Sequence, residues 1–210
     1  MNKKALGFFL GLVLLGGGRG SGLVKLKRGQ PILLLGDSQS VAENPNSPGQ
    51  LLAAKLTQAG FPCSVLAVGG KTAYFYSLTT KGRALLDEAL ALRPAVVLVF
   101  MGSNELANVA LNPGTLGAQV RGHQKLEQLI SEAGARALFV GPPDFAPGVT
   151  SEAGGGPLVS AAPRLVPPLR SAYGAQNFLD ARPFTPVHRG VHFDADSAQV
   201  FARALFGALV

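Results

Sequence analysis

Short apolar runs alternate with longer amphipathic segments along the chain from Pro31 to the C-terminus. The apolar runs predict β-strands at residues 31–36, 62–68, 95–101 and 136–141, and a weaker run predicts a fifth strand at 176–180. The amphipathic segments predict helices near residues 49–59, 81–92, 115–133, 158–172 and 195–209. Strands that alternate with helices favour an α/β fold, in which helices cover both faces of one parallel sheet and build three layers.

The residues between these segments fit the same arrangement. Pro94 stands where the second helix must end before its strand, and Asp194 is placed to cap the last helix. The stretch 142–168 is rich in glycine and proline and predicts a long loop, and shorter loops are expected at 71–80 and 105–115. Long loops of this kind are often lids or specificity elements.

Composition agrees with a folded chain of moderate size. The 210 residues correspond to one domain, and 47% of them are hydrophobic but only 15% charged, so disorder is not expected over most of the chain. The 27 glycines and 15 prolines predict many tight turns. Cys63 is the only cysteine, which excludes an intrachain disulfide, and no zinc-like Cys/His spacing occurs.

The formal net charge of +7 is concentrated at the N-terminus. Residues 1–30 contain six basic residues and no acidic one, whereas residues 31–210 contain thirteen basic and twelve acidic residues. A nucleic-acid-binding domain is expected to carry a basic stripe on its folded surface. We therefore expect no nucleic-acid partner.

The first 30 residues have the layout of a secretory signal peptide. Lys3 and Lys4 precede the apolar run 5–15, and small residues follow at 16–22. The run is short for a bilayer span, and no cysteine follows that could carry a lipid, although the positive charges beyond it disfavour translocation. We rank an export signal first, a membrane-surface anchor second and a buried structural element third. An export signal predicts a secreted, periplasmic or envelope-associated protein whose folded domain spans residues 31–210.

Polar motifs follow three of the predicted strands or precede the last helix. They are Gly36-Asp37-Ser38-Gln39-Ser40, Gly69-Gly70, Ser103-Asn104-Glu105 and His192. The carboxyl ends of parallel strands lie at one edge of a sheet, where ligands of open α/β folds bind. Each motif alone also has a structural explanation, as a turn serine, a glycine with positive φ, a helix-capping asparagine and a hydrogen-bonded loop histidine.

Taken in this order, Ser38, Gly70, Asn104 and His192 resemble the motifs of the SGNH/GDSL hydrolase family, from about Pro31 to the C-terminus. The resemblance implies a flavodoxin-like five-stranded parallel sheet and chemistry that needs no metal or organic cofactor. It implies that Ser38 attacks an acyl carbonyl and that His192 is the general base and then the acid. The backbone N–H groups of Ser38 and Gly70 and the side-chain amide of Asn104 would form the oxyanion hole.

One position departs from the family pattern. The family has an acid three residues before the histidine, and this sequence has Arg189 there. The acid orients the imidazole and stabilises its charged form. A backbone carbonyl near residues 187–189, Asp180 or Asp194 could take its place. The sequence therefore predicts a Ser-His dyad and leaves its third member open.

The motifs predict an esterase or deacylase that removes short acyl groups, acetyl among them, from a carbohydrate, a cell-wall polymer or a lipid. The expected partner is thus an acylated small molecule, glycan or lipid. If the N-terminal segment is an anchor, a membrane surface is a second expected partner. Two alternatives stay open. One is an SGNH-derived binding or structural module, in which Arg189 marks relaxed catalysis. The other is an acyltransferase that uses the same residues, with a sugar hydroxyl in place of water.

Overall fold

The computed structural model describes residues 22–151, 154–186 and 190–210. Its centre is a sheet of five parallel strands in the order β2-β1-β3-β4-β5, the doubly wound order of flavodoxin-like folds. The strands are β1 Ile32–Gly36, β2 Cys63–Ala67, β3 Val96–Phe100, β4 Arg136–Val140 and β5 Phe178–Leu179. The predicted α/β fold and its parallel sheet are confirmed. The fifth strand is shorter than predicted because a 3-10 turn occupies Ala175–Asn177.

Helices connect the strands on both faces of the sheet. Within the described residues they are α1 Pro48–Gln58, α2 Ala73–Leu78, α3 Thr80–Leu90, α4 Ser103–Leu111, α5 Leu116–Glu132, α6 Ala162–Tyr173 and α7 Ala195–Leu209. Five of these confirm predicted helices, and the predicted cap of α7 is confirmed by a hydrogen bond from Ser197 N to Asp194 Oδ1 (2.8 Å). The prediction of loops at 71–80 and 105–115 is wrong, because α2 and α4 occupy most of these residues. Both helices are too short for a helical period to stand out in the sequence.

The predicted loop at 142–168 overlaps the predicted helix at 158–172, and α6, which begins at Ala162, occupies most of the overlap. This helix contains Pro163, Pro167 and Pro168, which is why composition alone favours a loop. Pro163 lies in the first turn, where its missing N–H costs no helical hydrogen bond. The two later prolines each remove such a bond, and burial of Leu165 and Leu169 on the apolar face offsets that loss.

Two hydrophobic cores cover the two faces of the sheet. Side chains alternate along β1, so that Ile32 and Leu34 face one core and Leu33 and Leu35 the other, and all four are buried. The first core includes residues of α1 and α7, and the second includes residues of α2 to α6. The central strands are therefore buried on both faces, as is usual for parallel sheets.

The register of the central strands brings three loops to one edge of the sheet. Gly36, the last residue of β1, pairs with Ala67 of β2 and with Phe100 of β3. The loops that follow these three residues therefore start side by side at the carboxyl edge. The first two loops carry the serine and the glycine of the predicted site, and the third leads into α4, whose first turn carries the asparagine.

The predicted signal-like segment lies outside the described residues up to residue 21. Beyond it, the chain pairs with the C-terminal part of the fold, where Leu26 N donates to Leu209 O (2.9 Å) and Val24 N donates to Gln176 O (3.1 Å). In the part of the chain that the structure describes, no helix is long and apolar enough to cross a membrane.

Candidate active site

Ser38 lies on a turn that leaves the end of β1. Asp37, which is fully buried, closes this turn with two bonds. Its carbonyl accepts a hydrogen bond from Ser40 N (3.0 Å), and its Oδ1 accepts one from Gln39 N (2.9 Å). A carboxylate that accepts from the backbone two residues on is typical of an Asx turn. Asp37 therefore holds the loop in place, while Ser38 remains half-buried at the edge of the sheet.

His192 approaches Ser38 from the other end of the chain. Its Nε2 lies 3.1 Å from Ser38 Oγ, within the roughly 2.6–3.2 Å expected between a nucleophile and its base. The imidazole is exposed, but its neighbour Phe193 is buried and stacks on Phe201 of α7, with the ring centroids 5.0 Å apart. The main chain beside the imidazole is thus anchored to the core.

Gly70 places a backbone N–H on the neighbouring loop. Its φ is +70°, in the left-handed region that favours glycine. No atom lies within 4 Å of the point where a Cβ would be, so there is room for a side chain. Glycine is therefore needed at this position for its backbone conformation rather than for space.

Asn104 is the second residue of α4, and its amide contacts the other two loops. Its Nδ2 donates to Asp37 Oδ2 (3.3 Å) and to the carbonyl of Lys71 (3.2 Å). Both bonds are at the long end of the range for N–H···O contacts. A ligand oxygen can therefore replace one of them at low cost.

The four predicted residues border one cavity of about 300 Å³. One face of α4 forms a wall of this cavity, with Asn104, Ala107, Asn108 and Leu111 at helical spacing. Val191 adds an apolar surface next to the histidine. A hydroxyl, an imidazole and several N–H groups thus meet a partly apolar pocket, which is the usual composition of a small-molecule site.

Asp37, the residue before Ser38, carries a fully buried carboxyl group. The pKa of Asp37 is raised from 3.8 to about 7, mainly because the carboxyl group is buried and in smaller part because of the nearby charge of Glu105. The hydrogen bonds from Gln39 N and from the Asn104 amide oppose this rise because they favour the ionised form. The group that holds the turn and the Asn104 amide therefore titrates near neutral pH.

The group that orients the His192 imidazole in place of the family's acid stays a prediction. Asp180 is engaged by Arg182 in a two-point ion pair, with N–O distances of 2.8 and 2.6 Å. Asp194 accepts the capping hydrogen bond of α7. Arg189 and the backbone carbonyls of residues 187–189 lie outside the described residues.

Sequence patterns missed two polar contacts close to the cavity. The side chain of Gln39, next to Ser38 in the chain, donates to the carbonyl of Val191 (2.8 Å). Glu105, next to Asn104, is fully buried and contacts His123 of α5. The only sequence signal for the second contact is a charged residue among the apolar positions of α4. The first has no local signal.

Over residues 22–151, 154–186 and 190–210, no group of three or more His, Cys, Asp or Glu side chains is arranged to hold a metal ion.

No protein-family model and no curated protein matches the sequence, whereas many solved structures match the fold. One is a candidate SGNH hydrolase from Slackia heliotrinireducens, with 22% identity and a TM-score of 0.62, covering 87% of this chain and 100% of the other. A second is the acetyl xylan esterase AlAXEase, with 16% identity, a TM-score of 0.59 and coverage of 86% and 100%. A third is the psychrotrophic esterase EstA from Pseudoalteromonas sp., with 13% identity, a TM-score of 0.54 and coverage of 85% and 95%.

These similarities extend over most of each chain at low sequence identity, so they concern the fold. They agree with an α/β fold built on one parallel five-stranded sheet. The chain has the fold of the SGNH/GDSL hydrolases.

Proposed function

We propose that this protein is a serine esterase or deacylase that hydrolyses short acyl esters through an acyl-enzyme on Ser38. The observation that carries the proposal is the 3.1 Å contact between Ser38 Oγ and His192 Nε2, at a cavity that Gly70 and Asn104 also line. A hydroxyl, a base and oxyanion donors at one site are the groups that acyl transfer needs.

The proposed reaction has two halves. His192 takes the hydroxyl proton of Ser38 as Oγ attacks the ester carbonyl carbon, and the carbonyl oxygen becomes an oxyanion. The C–O bond to the alcohol then breaks, and His192 gives its proton to the leaving oxygen. Water attacks the resulting acyl-enzyme with His192 as base, and the carboxylic acid leaves as Ser38 regains its proton.

The oxyanion is held by N–H groups of Ser38, Gly70 and Asn104 in this proposal. The Asn104 amide must then release one of its present acceptors, Asp37 Oδ2 or the Lys71 carbonyl. We assign the exchange to the Lys71 carbonyl, because the buried Asp37 carboxyl group can keep the amide oriented while the other N–H turns to the substrate.

The size of the cavity supports a small acyl group. About 300 Å³ is at the lower end of the range for ligand sites. Among the structural neighbours, AlAXEase is an acetyl xylan esterase. We therefore place an acetylated carbohydrate first among the substrates, before a cell-wall polymer or a lipid ester.

A fluorophosphonate probe and a short aryl ester test the proposal together. The neighbouring esterase EstA is described in a form inhibited by monoethylphosphonate, which makes a phosphonate probe suitable. We expect the wild type to be labelled once and to hydrolyse the aryl ester. Ser38→Ala should abolish labelling and lower kcat by at least about 10⁴-fold.

Two serines provide matched controls. Ser40 belongs to the same loop but is fully buried, and Ser151 lines the same cavity from a different loop. Ser40→Ala and Ser151→Ala should keep labelling and turnover. Absence of labelling and hydrolysis in the folded wild type would overturn the esterase proposal and favour the binding module. A product that forms only with an added sugar acceptor would instead identify an acyltransferase.

We also propose that the protein acts outside the cytoplasm or at the cell envelope. The support is Lys3-Lys4 before the apolar run 5–15. Residues 1–30 fused to a reporter enzyme that is active only after export should give reporter activity. Deletion of residues 5–15 should remove it, and an inactive full fusion that accumulates in the cytoplasm would contradict the proposal.

A further inference from the structure

Two contacts, side by side, join the loop of Ser38 to the loop of His192. The first is the contact between Ser38 Oγ and His192 Nε2. The second joins their chain neighbours, because Gln39 Nε2 donates to the carbonyl of Val191 at 2.8 Å. Consecutive residues of one loop thus meet consecutive residues of the other.

Gln39 is itself held firmly. Its N–H donates to Asp37 Oδ1 (2.9 Å), and its carbonyl accepts a hydrogen bond from Gly49 N (2.8 Å) at the start of α1. The residue is only 4% exposed, so its side chain has little freedom to leave the Val191 carbonyl. The same turn that places Ser38 therefore also fixes the position of the Val191 carbonyl.

The main chain of His192 is fixed on both sides. On one side, the carbonyl of Val191 accepts the bond from Gln39. On the other, Phe193 stacks on Phe201 of α7. The stacking ties the loop to the helix layer, whereas the Gln39 bond ties its main chain to the loop of Ser38.

We propose that Gln39 is a positioning residue, which holds the main chain of His192 so that the imidazole stays in register with Ser38. The inference rests on the proposed function, in which His192 is the base. It concerns the backbone of the histidine and is independent of what the other ring nitrogen contacts. Gln39 does not touch the reacting atoms, and it acts through Val191.

Kinetics of Gln39→Met on a short aryl ester test the role. Methionine has a similar length and remains suited to burial, but it cannot donate to the Val191 carbonyl. We expect kcat to fall by about 100-fold, the effect of a base displaced by about 1 Å, with KM within about twofold of the wild type. A substrate-binding role would change KM instead.

Gln50→Met is the matched control. Gln50 Nε2 also donates to a backbone carbonyl of this loop, that of Ser40, at 2.6 Å, but it does not reach the histidine loop. The two variants lose the same kind of bond, so their melting temperatures should fall by similar amounts. Only Gln39→Met should lose kcat. Equal kcat losses in both variants, or no loss in Gln39→Met, would overturn the role.

A shorter amide covers the case in which Gln39→Met fails to fold. Gln39→Asn keeps the polar group but is one methylene too short for the Val191 carbonyl. We expect it to fold and to lose kcat, again without a change in KM. A folded Gln39→Asn with the wild-type kcat would overturn the proposal.

A spectroscopic readout separates this proposal from the proposed function. In the wild type, Ser38→Ala should shift the NMR signal of the His192 Cε1 proton, because the ring contacts the hydroxyl. In the Gln39→Asn background, the same Ser38→Ala change should shift the signal much less. If the wild type hydrolyses no ester but the Ser38→Ala shift is still smaller in the Gln39→Asn background, only the esterase function is refuted. Undiminished coupling refutes the role of Gln39.

Discussion

Glu105 Oε1 lies 3.2 Å from His123 Nε2, and neither side chain is accessible to solvent. The other ring nitrogen, Nδ1, lies 2.9 Å from the hydroxyl of Tyr173, and Glu105 Oε1 also accepts a hydrogen bond from Ala73 N (2.9 Å). These side chains join α4, α5 and α6 to the first residue of α2. Since α4 and the segment before α2 supply two of the proposed oxyanion donors, the network connects the elements that carry those donors.

His123→Phe tests how much this network stabilises the fold. Phenylalanine keeps a ring between Phe139 and Tyr173, but it removes both nitrogens and leaves the Tyr173 hydroxyl without this partner. We expect the free energy of unfolding, measured by urea denaturation, to fall by about 1–3 kcal/mol.

A double-mutant cycle with Tyr173→Phe isolates the contact between the two rings. Once His123 is replaced, the Tyr173 hydroxyl has already lost its partner, so removing it should cost less than in the wild type. We expect a coupling free energy of about 0.5–3 kcal/mol. Strictly additive losses would show that the 2.9 Å contact adds nothing to stability.

His123 also shows why part of the structure is hidden in the sequence. The amphipathic pattern at 115–133 predicts α5, yet it does not show how deeply this histidine is buried or which side chains it contacts. The structure buries it completely between residues of two other helices. Contacts between distant segments leave no periodic signal, so neither the burial nor its partners could be predicted.

The strands and the motif residues were predictable for the opposite reason. Apolar runs such as residues 96–100 are local, and the turn after each run follows directly. Parallel pairing then brings Ser38 and Asn104 to one edge without further information. The bond from Gln39 to Val191 joins residues 152 positions apart, and only the folded chain reveals it. The roles of these residues stay proposals that the experiments above test.

Asp37 predicts a dependence of stability on pH. Its pKa rises from 3.8 to about 7 in the folded protein because the carboxyl group is buried. The folded state binds this proton more tightly than the unfolded state, so protonation of Asp37 adds to the free energy of unfolding. This contribution is complete below pH 3.8 and is lost as the pH rises through about 7. Between pH 5 and pH 8, the wild type should lose about 2–3 kcal/mol of unfolding free energy from this group alone.

Asp37→Asn isolates that contribution because an amide does not titrate in this range. The variant loses one hydrogen bond to Gln39 N or to Asn104, so its stability differs from the wild type at every pH. The difference in unfolding free energy between variant and wild type should move in favour of the variant from pH 5 to pH 8. A difference that stays constant with pH would contradict a raised pKa.

Ala107 predicts the selectivity of the cavity. It lies one turn after Asn104 on the wall that α4 forms, between the proposed oxyanion site and Leu111. Ala107→Phe should fill this part of the pocket and hinder long acyl chains more than acetyl. We expect kcat/KM for an octanoate ester to fall at least about tenfold relative to the acetate ester of the same alcohol. An equal fall for both esters would show that the acyl chain does not lie along α4.

The absence of a side chain at Gly122 allows α2 to pack closely on α5, and α2 directly follows the loop of Gly70. We therefore expect a side chain at residue 122 to change the position of that loop. This buried residue of α5 lets α2 approach closely, and a Cβ at residue 122 would lie only 2.6 Å from Tyr74 N. Gly122→Ala should therefore displace α2, lower the melting temperature and reduce kcat. Gly117→Ala on the same helix is the matched control, since its Cβ would meet only the end of the Arg121 side chain at 3.4 Å, and helix propensity should stabilise it by up to about 1 kcal/mol. If both alanines have the same effect on melting temperature, close packing of α2 on α5 is not what requires glycine at residue 122.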